Sequence, residues 1–524
     1  MLSANGPTKI FSRNPATGEV LAELASTPIA ELPTIFARAR EAQSKWAALS
    51  VKKRAFHLRQ LREVMINRAD EIVELIAKEN GKPRFEALSA ELFSSIDTIT
   101  YFADRAPKLL RDREIPLVLM KHRRSKLNYW PLGVVAVISP WNFPLMEPLA
   151  TIVIALLCGN AVVFKPSEIT PLIGLKIQEL CEEAGLPPNI IQTVIGDGAI
   201  GAAIIEQKPA KIFFIGSTST GRKIMKAAAE HLIPVNLELG GKDAMIVLAD
   251  ADLDFATSCA VWGGYSNAGQ FCAATERILV HESVAQKFTE LMRDKLKKLR
   301  QGPSTGFEND LGPITFPKQA QIYEQHLQEA RAAGARFDLG GELSSDRRYM
   351  PPAIVSGPGV ESLEIYNEET FGPVVAITTF KSVAEAVDKA NRSKYGLLAS
   401  VITRNLSLGE QIARQLEVGT VTINEVAYTG GLAETPWGGV KESGFGRVRS
   451  DMGIYEFVNV RHIHKPRSRL LVFKSAWWFP YTPYQYETFK LALQLYRRSW
   501  SDRLRAFPHF LWNLVQFLKK EKRL

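Results

Sequence analysis

Cysteine is scarce in this chain. Four of its 524 residues are cysteines, at 158, 181, 259 and 272. They are too few and too scattered for a disulfide framework, and their spacing makes no zinc site. A reducing compartment and no metal are therefore expected. The opening residues, MLSANGPTKIFSRNPATGEV, hold no apolar core of a secretory signal. No apolar stretch reaches the about 20 residues that span a bilayer as a helix. Internal repeats and low-complexity segments are absent as well. What is present is an ordinary globular composition, 46% hydrophobic and 23% charged, long enough for two or three domains.

Excess charge is also lacking over most of the chain. The formal net charge is +10, yet Arg469–Leu524 alone carries eleven Lys/Arg against three acids. The rest is close to neutral, which argues against a nucleic-acid partner.

The pattern along the chain is α/β. Residues 34–110 read as helices. Two short β-like runs with a basic turn follow at 112–130. GVVAVISP (133–140), NAVVFKPSE (160–168) and KIFFIGS (211–217) read as buried parallel strands, with helices between them and a further helix from Gly221 to Glu230. The second half repeats the alternation with DAMIVLADAD, TERILV, VVAITTF and ASVITR as strands. Strands alternating with helices predict doubly wound parallel sheets. FVNVRHIHKP reads as an edge strand that pairs with the 112–130 hairpin.

Several strings carry chemistry. Cys272 closes GQFC, and Glu238 lies 34 positions before it in LELGGK. A thiol nucleophile and a carboxylate base, each flanked by glycine, form the pair needed to oxidise an aldehyde through a thioester. PWNFP (140–144) follows a strand, where the Asn142 amide can meet a developing oxyanion. KPSE (165–168) sits at a strand's carboxyl end, where Lys165 and Glu168 can grip a ribose. The Glu168 carboxylate would repel a 2′-phosphate and so favours NAD over NADP. FIGSTSTG (214–221) runs strand, turn, helix. It lacks the GxGxxG fingerprint, but a helix N-terminus there suits a pyrophosphate. EETFGPV (368–374) and PWGGVKESGFGR (436–447) read as site-lining loops.

In their order and spacing these seven strings resemble the aldehyde dehydrogenase superfamily, over roughly residues 10–465. The resemblance implies an α/β fold with a Rossmann-type cofactor domain (1–110 and 129–240) and an α/β catalytic domain (241–453). It also implies a small bridging sheet (111–128 and 454–468) that joins subunits into a homodimer or homotetramer. It makes Cys272 the nucleophile, Glu238 the base and Asn142 an oxyanion donor shared with the Cys272 N–H. Lys165, Glu168, Gly216, Ser217, Gly221, Glu369 and Phe371 become the NAD (or NADP) contacts. Phe143, Met146, Phe271 and Trp437 become candidates for an apolar substrate pocket. Glu147, close behind Asn142, is an acid where an apolar lining is expected. Glu238 argues against a CoA-acylating relative, in which CoA replaces activated water.

The tail, 469–524, departs from that pattern. WWFPYTPYQY is followed by apolar residues at helical spacing from Phe489 to Leu518, with Pro508 expected to break or restart the helix. Two readings stay open: an interface-lying anchor on the cytoplasmic face of a membrane through 470–524, or a stripe that packs on the body or on a partner subunit. Fatty or otherwise apolar aldehydes suit the first, with the enzyme otherwise cytoplasmic. The alternatives in function are a semialdehyde dehydrogenase, which needs a channel arginine that no motif singles out, and an inactive member acting as a membrane scaffold.

Overall fold

The strand order of the first sheet places the site. In this computed structural model, which describes residues 8–304, 306–342, 345, 347–472, 475 and 477–520, six strands lie side by side. Their order is Gly444–Phe445, Val235–Glu238, Lys211–Ile215, Val134–Ile138, Ala161–Lys165 and Ile191–Thr193. All pair in parallel except Gly444–Phe445, which runs antiparallel to Val235–Glu238. VVAVI, AVVFK and KIFFI are buried at every position, the mark of strands covered on both faces. The chain order reverses at Val134–Ile138, whose neighbours are the strand that follows it and one much later. In open α/β sheets the crevice at the carboxyl ends beside such a reversal is where ligands bind. Asn142, Lys165, Gly216 and Glu238 all lie at these ends.

A second sheet has seven strands, in the order Arg336–Leu339, Ala353–Ser356, Val374–Phe380, Thr275–His281, Asp243–Val247, Leu398–Ile402 and Thr420–Ile423. It is parallel apart from its first strand. Only Leu239–Lys242 separates the end of Val235–Glu238 from the start of Asp243–Val247. The carboxyl edge of one sheet thus feeds the amino edge of the other. Cys272 and Glu369 stand just before strands Thr275–His281 and Val374–Phe380, at that amino edge.

The expected helices and strands are found, with informative differences. The helix placed at Gly221–Glu230 starts earlier, at Thr218, because the Ser217 side chain accepts the Thr220 N–H and caps it. The helical region contains a seven-residue π-helix, Ala87–Phe93, which periodicity did not anticipate. A hairpin of Lys9–Arg13 and Val20–Ala25 precedes the helices.

By backbone packing the chain divides into two units, one of residues up to Arg111 with Tyr129–Asn459, the other of Asp112–Asn128 with Val460–Leu524. The sheets above belong to the first. Mostly in the second, Arg113–Ile115, Arg123–Pro131 and Val458–Pro466 form a three-stranded sheet, as the hairpin and edge strand predicted. Ser125 Oγ lies 2.7 Å from His464 Nδ1, and Arg461 donates to Asn128 Oδ1 at 2.7 Å. Beyond it, Thr482 and Gln485 form a capping box for the helix Pro483–Gln494. The helix Trp500–Lys520 follows, with Ser499 Oγ accepting the Asp502 N–H at its start. The expectation for Pro508 is corrected here. Pro508 sits inside the second helix, which continues past the one missing N–H, and the break falls instead at residues 495–499. Lys474 and the last four residues lie outside the described residues. Among the described residues no helix is long and apolar enough to cross a membrane.

Candidate active site

Two glycines let three segments converge on Glu238. In LELGGK, a Cβ on Gly240 would lie 2.3 Å from the Glu369 carboxylate, and one on Gly241 would lie 2.6 Å from the Cys272 carbonyl oxygen. Only bare backbone admits both neighbours. Gly241 N donates to Glu369 Oε1 at 2.9 Å, so the loop holding Glu369 is tied to the strand end holding Glu238. From the other side, PWGGVKESGFGR is more than a shaped loop. Its Gly444 and Phe445 pair with Glu238 and Leu237. Gly444 takes φ +106, and a Cβ there would fall 1.9 Å from Leu237 O, so no other residue fits. Ser443 Oγ donates to Gly240 O at 2.7 Å.

Cys272 is half-buried, while the other three cysteines are buried. It follows a strained turn in which Asn267 and Ala268 take left-handed φ of 51° and 54°. Asn142 comes to this turn from the first sheet. Its Nδ2 donates to Gln270 O at 3.2 Å, two residues before Cys272. The Asn142 backbone oxygen accepts from Asn267 Nδ2 at 3.1 Å and from Lys82 Nζ at 2.8 Å. Lys82 is paired at 2.6 Å with Glu91 of the π-helix, both side chains fully buried. Glu91 Oε2 accepts the N–H groups of Leu145 and Met146. Lys82, Glu91, Asn267 and Gln270 therefore position Asn142. The sequence reading missed all four, since a lysine in NGKP and a glutamate in a helix look like surface charges until the fold buries them.

Charge is concentrated here. Burial, then the Glu147 carboxylate, then Asp243, Glu369 and Glu238 raise the Cys272 thiol well above the usual thiol range. Burial and then Glu147 push Glu238 well up; Arg447 and Arg449 oppose them. Both Glu238 oxygens are buried without a hydrogen-bond partner. Glu147 does not turn outward. It is 7% exposed, and its charge is felt by both Cys272 and Glu238.

Of the expected pocket residues, Phe143 and Phe271 meet with ring centroids 5.0 Å apart, and the Met146 sulfur accepts from Arg449 Nη2 at 2.6 Å. Trp437 is buried and exchanges backbone hydrogen bonds with Val448, the residue before Arg449.

The expected cofactor contacts were tested against their surroundings. Lys165 is 4% exposed, with Nζ 3.5 Å from Glu168 Oε2 and 3.1 Å from Pro166 O. Ser217 is exposed at the N-cap of the twelve-residue helix Thr218–Ala229, a setting that suits a phosphate. Gly221 faces Leu239, where a Cβ would lie 2.7 Å from Cδ2, so it brings that helix against the strand end. Burial and the nearby Glu276 raise Glu369 to about 8. Phe371, at φ 54°, is held by its N–H to Glu276 Oε1 at 3.0 Å, and Glu276 also pairs with the buried Lys242. Ser217 at a helix N-terminus and the buried Lys165 beside Glu168 are residue types that fit a dinucleotide.

The chain is similar to known proteins over most of its length. Residues 2–463 match the sequence model described as "Aldehyde dehydrogenase family". A 4,4'-diapolycopene aldehyde oxidase of a Methylomonas species is 37% identical over 485 residues, 92% of this chain and 90% of that protein. A protein of Mycolicibacterium smegmatis, provisionally named a succinate-semialdehyde dehydrogenase [NADP(+)], is 37% identical over 452 residues, 85% of this chain and 87% of the relative. The crystal structure of betaine aldehyde dehydrogenase from Staphylococcus aureus in complex with NAD+ superposes with TM-score 0.83 at 31% identity, covering 88% of this chain and 92% of that one. This chain belongs to the aldehyde dehydrogenase family and is an NAD(P)-dependent oxidoreductase.

Proposed function

We propose that this chain oxidises an apolar aldehyde to the free carboxylic acid with NAD, using Cys272 as nucleophile and Glu238 to activate water, and that residues 470–524 hold it at a membrane surface. The carrying observation is one cluster: a half-buried thiol, a buried carboxylate with two open oxygens, and the Asn142 amide on the backbone leading to Cys272. The Cys272 sulfur adds to the aldehyde carbon as its thiolate. The Asn142 Nδ2–H, released from Gln270 O, and the Cys272 N–H receive the oxyanion; such a donor is worth about 2.7–4 kcal/mol in the barrier. NAD, when bound, supplies the hydride acceptor. Lys165, Glu168, Gly216, Ser217 and Gly221 of the cofactor domain, 1–110 and 129–240, would hold it together with Glu369 and Phe371 of the catalytic domain, 241–453. Glu238 then takes a proton from water, which attacks the Cys272 thioester and releases the acid. Burial raises the Glu238 carboxyl above its usual range, which makes its carboxylate a stronger base.

Phe143, Phe271, Met146 and Trp437 support an apolar substrate. A semialdehyde would need a free arginine. Arg449, which touches the Met146 sulfur and keeps Nε and Nη1 unbonded, is the arginine that this second reading would use, with the charges of Glu147, Glu238 and Asp97 nearby offsetting it.

For the tail, the supporting observation is exposure. Trp500, Trp512, Phe479 and Tyr486 are 67–77% exposed, and Lys490, Arg497, Arg498, Arg503 and Arg505 are exposed among them. Aromatic anchors with basic neighbours suit an anionic lipid surface. The Methylomonas alignment covers more of this chain than the family match, which ends at residue 463, and so reaches into the tail.

The test is NADH formation across aldehydes of increasing chain length, with NAD and then NADP, with and without anionic liposomes. Activity that rises with chain length and with liposomes supports the reading. Activity confined to short or charged aldehydes refutes its substrate part.

A further inference from the structure

The turn that leads to Cys272 is left-handed at three successive residues. Asn267, Ala268 and Gly269 take φ of +51°, +54° and +71°. Glycine carries such a φ without cost and asparagine tolerates it, but alanine is strained there. Such backbone persists only where its surroundings over-determine it. Side chains supply part of that restraint. Asn267 Nδ2 donates to Gln270 O at 3.0 Å, and Gln270 Nε2 donates back to Asn267 O at 3.0 Å. The Asn267 N–H lies beyond the end of the helix Leu253–Tyr265. It donates instead to the Glu86 carboxylate, 181 residues away in the chain, at 3.0 Å to Oε1 and 3.1 Å to Oε2.

Glu86 ends the short helical turn Arg84–Glu86, directly before the π-helix Ala87–Phe93. Five residues on, Glu91 of that π-helix accepts the N–H groups of Leu145 and Met146 at 3.0 and 2.8 Å. On a regular α-helix, residues five apart point about 140° away from each other. The π-turn between these two changes that angle, and such bulges are frequent at functional sites. One segment thus grips both the loop that follows Asn142 and the turn that precedes Cys272. Asn142 Nδ2, 3.2 Å from Gln270 O, joins loop and turn directly. Glu86, Trp262, Tyr265, Ser266 and Leu311 also border a cavity of about 330 Å³. Packing beside the turn is therefore incomplete, and the Glu86 hydrogen bonds supply restraint that packing does not.

We propose that Glu86 is a positioning residue for the oxyanion site. With Glu91 it clamps the strained turn 267–269 and the loop 142–146 to one π-helical segment, so that the Cys272 N–H and the Asn142 amide stay aimed at the same point. Glu86 acts through Asn267, not on the reacting atoms. The inference rests on the roles given to Cys272 and Asn142 above.

The test is steady-state NADH formation, with kcat expressed per NAD-binding site counted by protein fluorescence. Glu86→Ala removes the clamp and should lower kcat about tenfold to a hundredfold, the scale of a misplacement of about 1 Å, with KM for NAD and for the aldehyde little changed. Glu86→Gln keeps an acceptor at the same reach and should restore most of kcat. A merely structural role would lower the number of NAD-binding sites and leave kcat per site unaltered, and that result overturns the proposal. In the Asn142→Ala background, Glu86→Ala should cost less than it does alone, because the amide it aligns is gone; equal cost in both backgrounds overturns the clamp. If Glu86→Ala does not fold, Glu86→Asp decides, since its shorter side chain draws the carboxylate back from Asn267: wild-type kcat per site overturns the proposal. Wild-type kcat in Glu86→Ala with turnover lost in Cys272→Ala refutes the clamp and leaves the proposed function standing. Turnover retained in Cys272→Ala refutes the nucleophile and this inference with it.

Discussion

The site and the tail depart from ordinary burial in opposite directions. Around Cys272, carboxylates and an arginine are buried with bonds unmade: both oxygens of Glu238, and Nε and Nη1 of Arg449. Along 477–515, aromatic and aliphatic side chains stand exposed, Trp500 at 70% and Trp512 at 67% among them. Polar groups inside without partners and large apolar groups outside are both unfavourable for a protein alone in water. Each is relieved by something the chain does not itself supply. On the proposed function, that is water and substrate at the site and an apolar surface at the tail. The sheets between them follow the ordinary rule, with VVAVI, AVVFK and KIFFI wholly buried.

The comparison can be broken at either end. The largest effect belongs to Cys272→Ala, which should lower turnover at least about a thousandfold while NAD binding, read by protein fluorescence, persists; surviving turnover would remove the thiol from the chemistry. Glu238→Gln should slow the steady state about 10²–10⁴-fold yet keep a burst of NADH, since only the water step needs the base. A lost burst would place Glu238 earlier in the reaction. Asn142→Ala should cost about 10²–10³-fold in kcat with little change in KM. For the tail, replacing Arg497 and Arg498 by Gln should weaken sedimentation with anionic liposomes by about 2 kcal/mol, with activity on a short soluble aldehyde unaltered. Equal binding to neutral and anionic liposomes would show that aromatic burial alone drives attachment. Thr482→Ala removes the capping box and should cost the helix Pro483–Gln494 about 1 kcal/mol, visible as a small loss of tail helicity by circular dichroism.

Much of the site was legible because its residues lie in short strings. GQFC, LELGGK and PWNFP each hold a reactive group and the small residues that let it be approached, and a strand followed by a turn put each at a sheet's edge. The tail's stripe was legible for the same local reason. The break was misplaced because a proline weakens one turn of a helix without ending it, while Thr482 and Ser499 cap the two helices more decisively. What was missed is non-local. Lys82 and Glu91 lie in a helical region that reads as surface, and only the fold brings them under Asn142. Asn267 and Gln270 flank the nucleophile in sequence, but their bonds to Asn142 cross 125 and 128 residues.

By itself, then, the amino-acid sequence determined the family and its reaction class, the α/β alternation and the amphipathic tail, and pointed to Cys272 and Glu238 as the proposed nucleophile and base, because each depends on residues within a turn or two of one another. The tertiary structure alone decided that Glu147 and Glu238 are buried near Cys272, and that Lys82 and Glu91 lie under Asn142. Those are relations through space, and the distances that govern them bear no relation to separation along the chain.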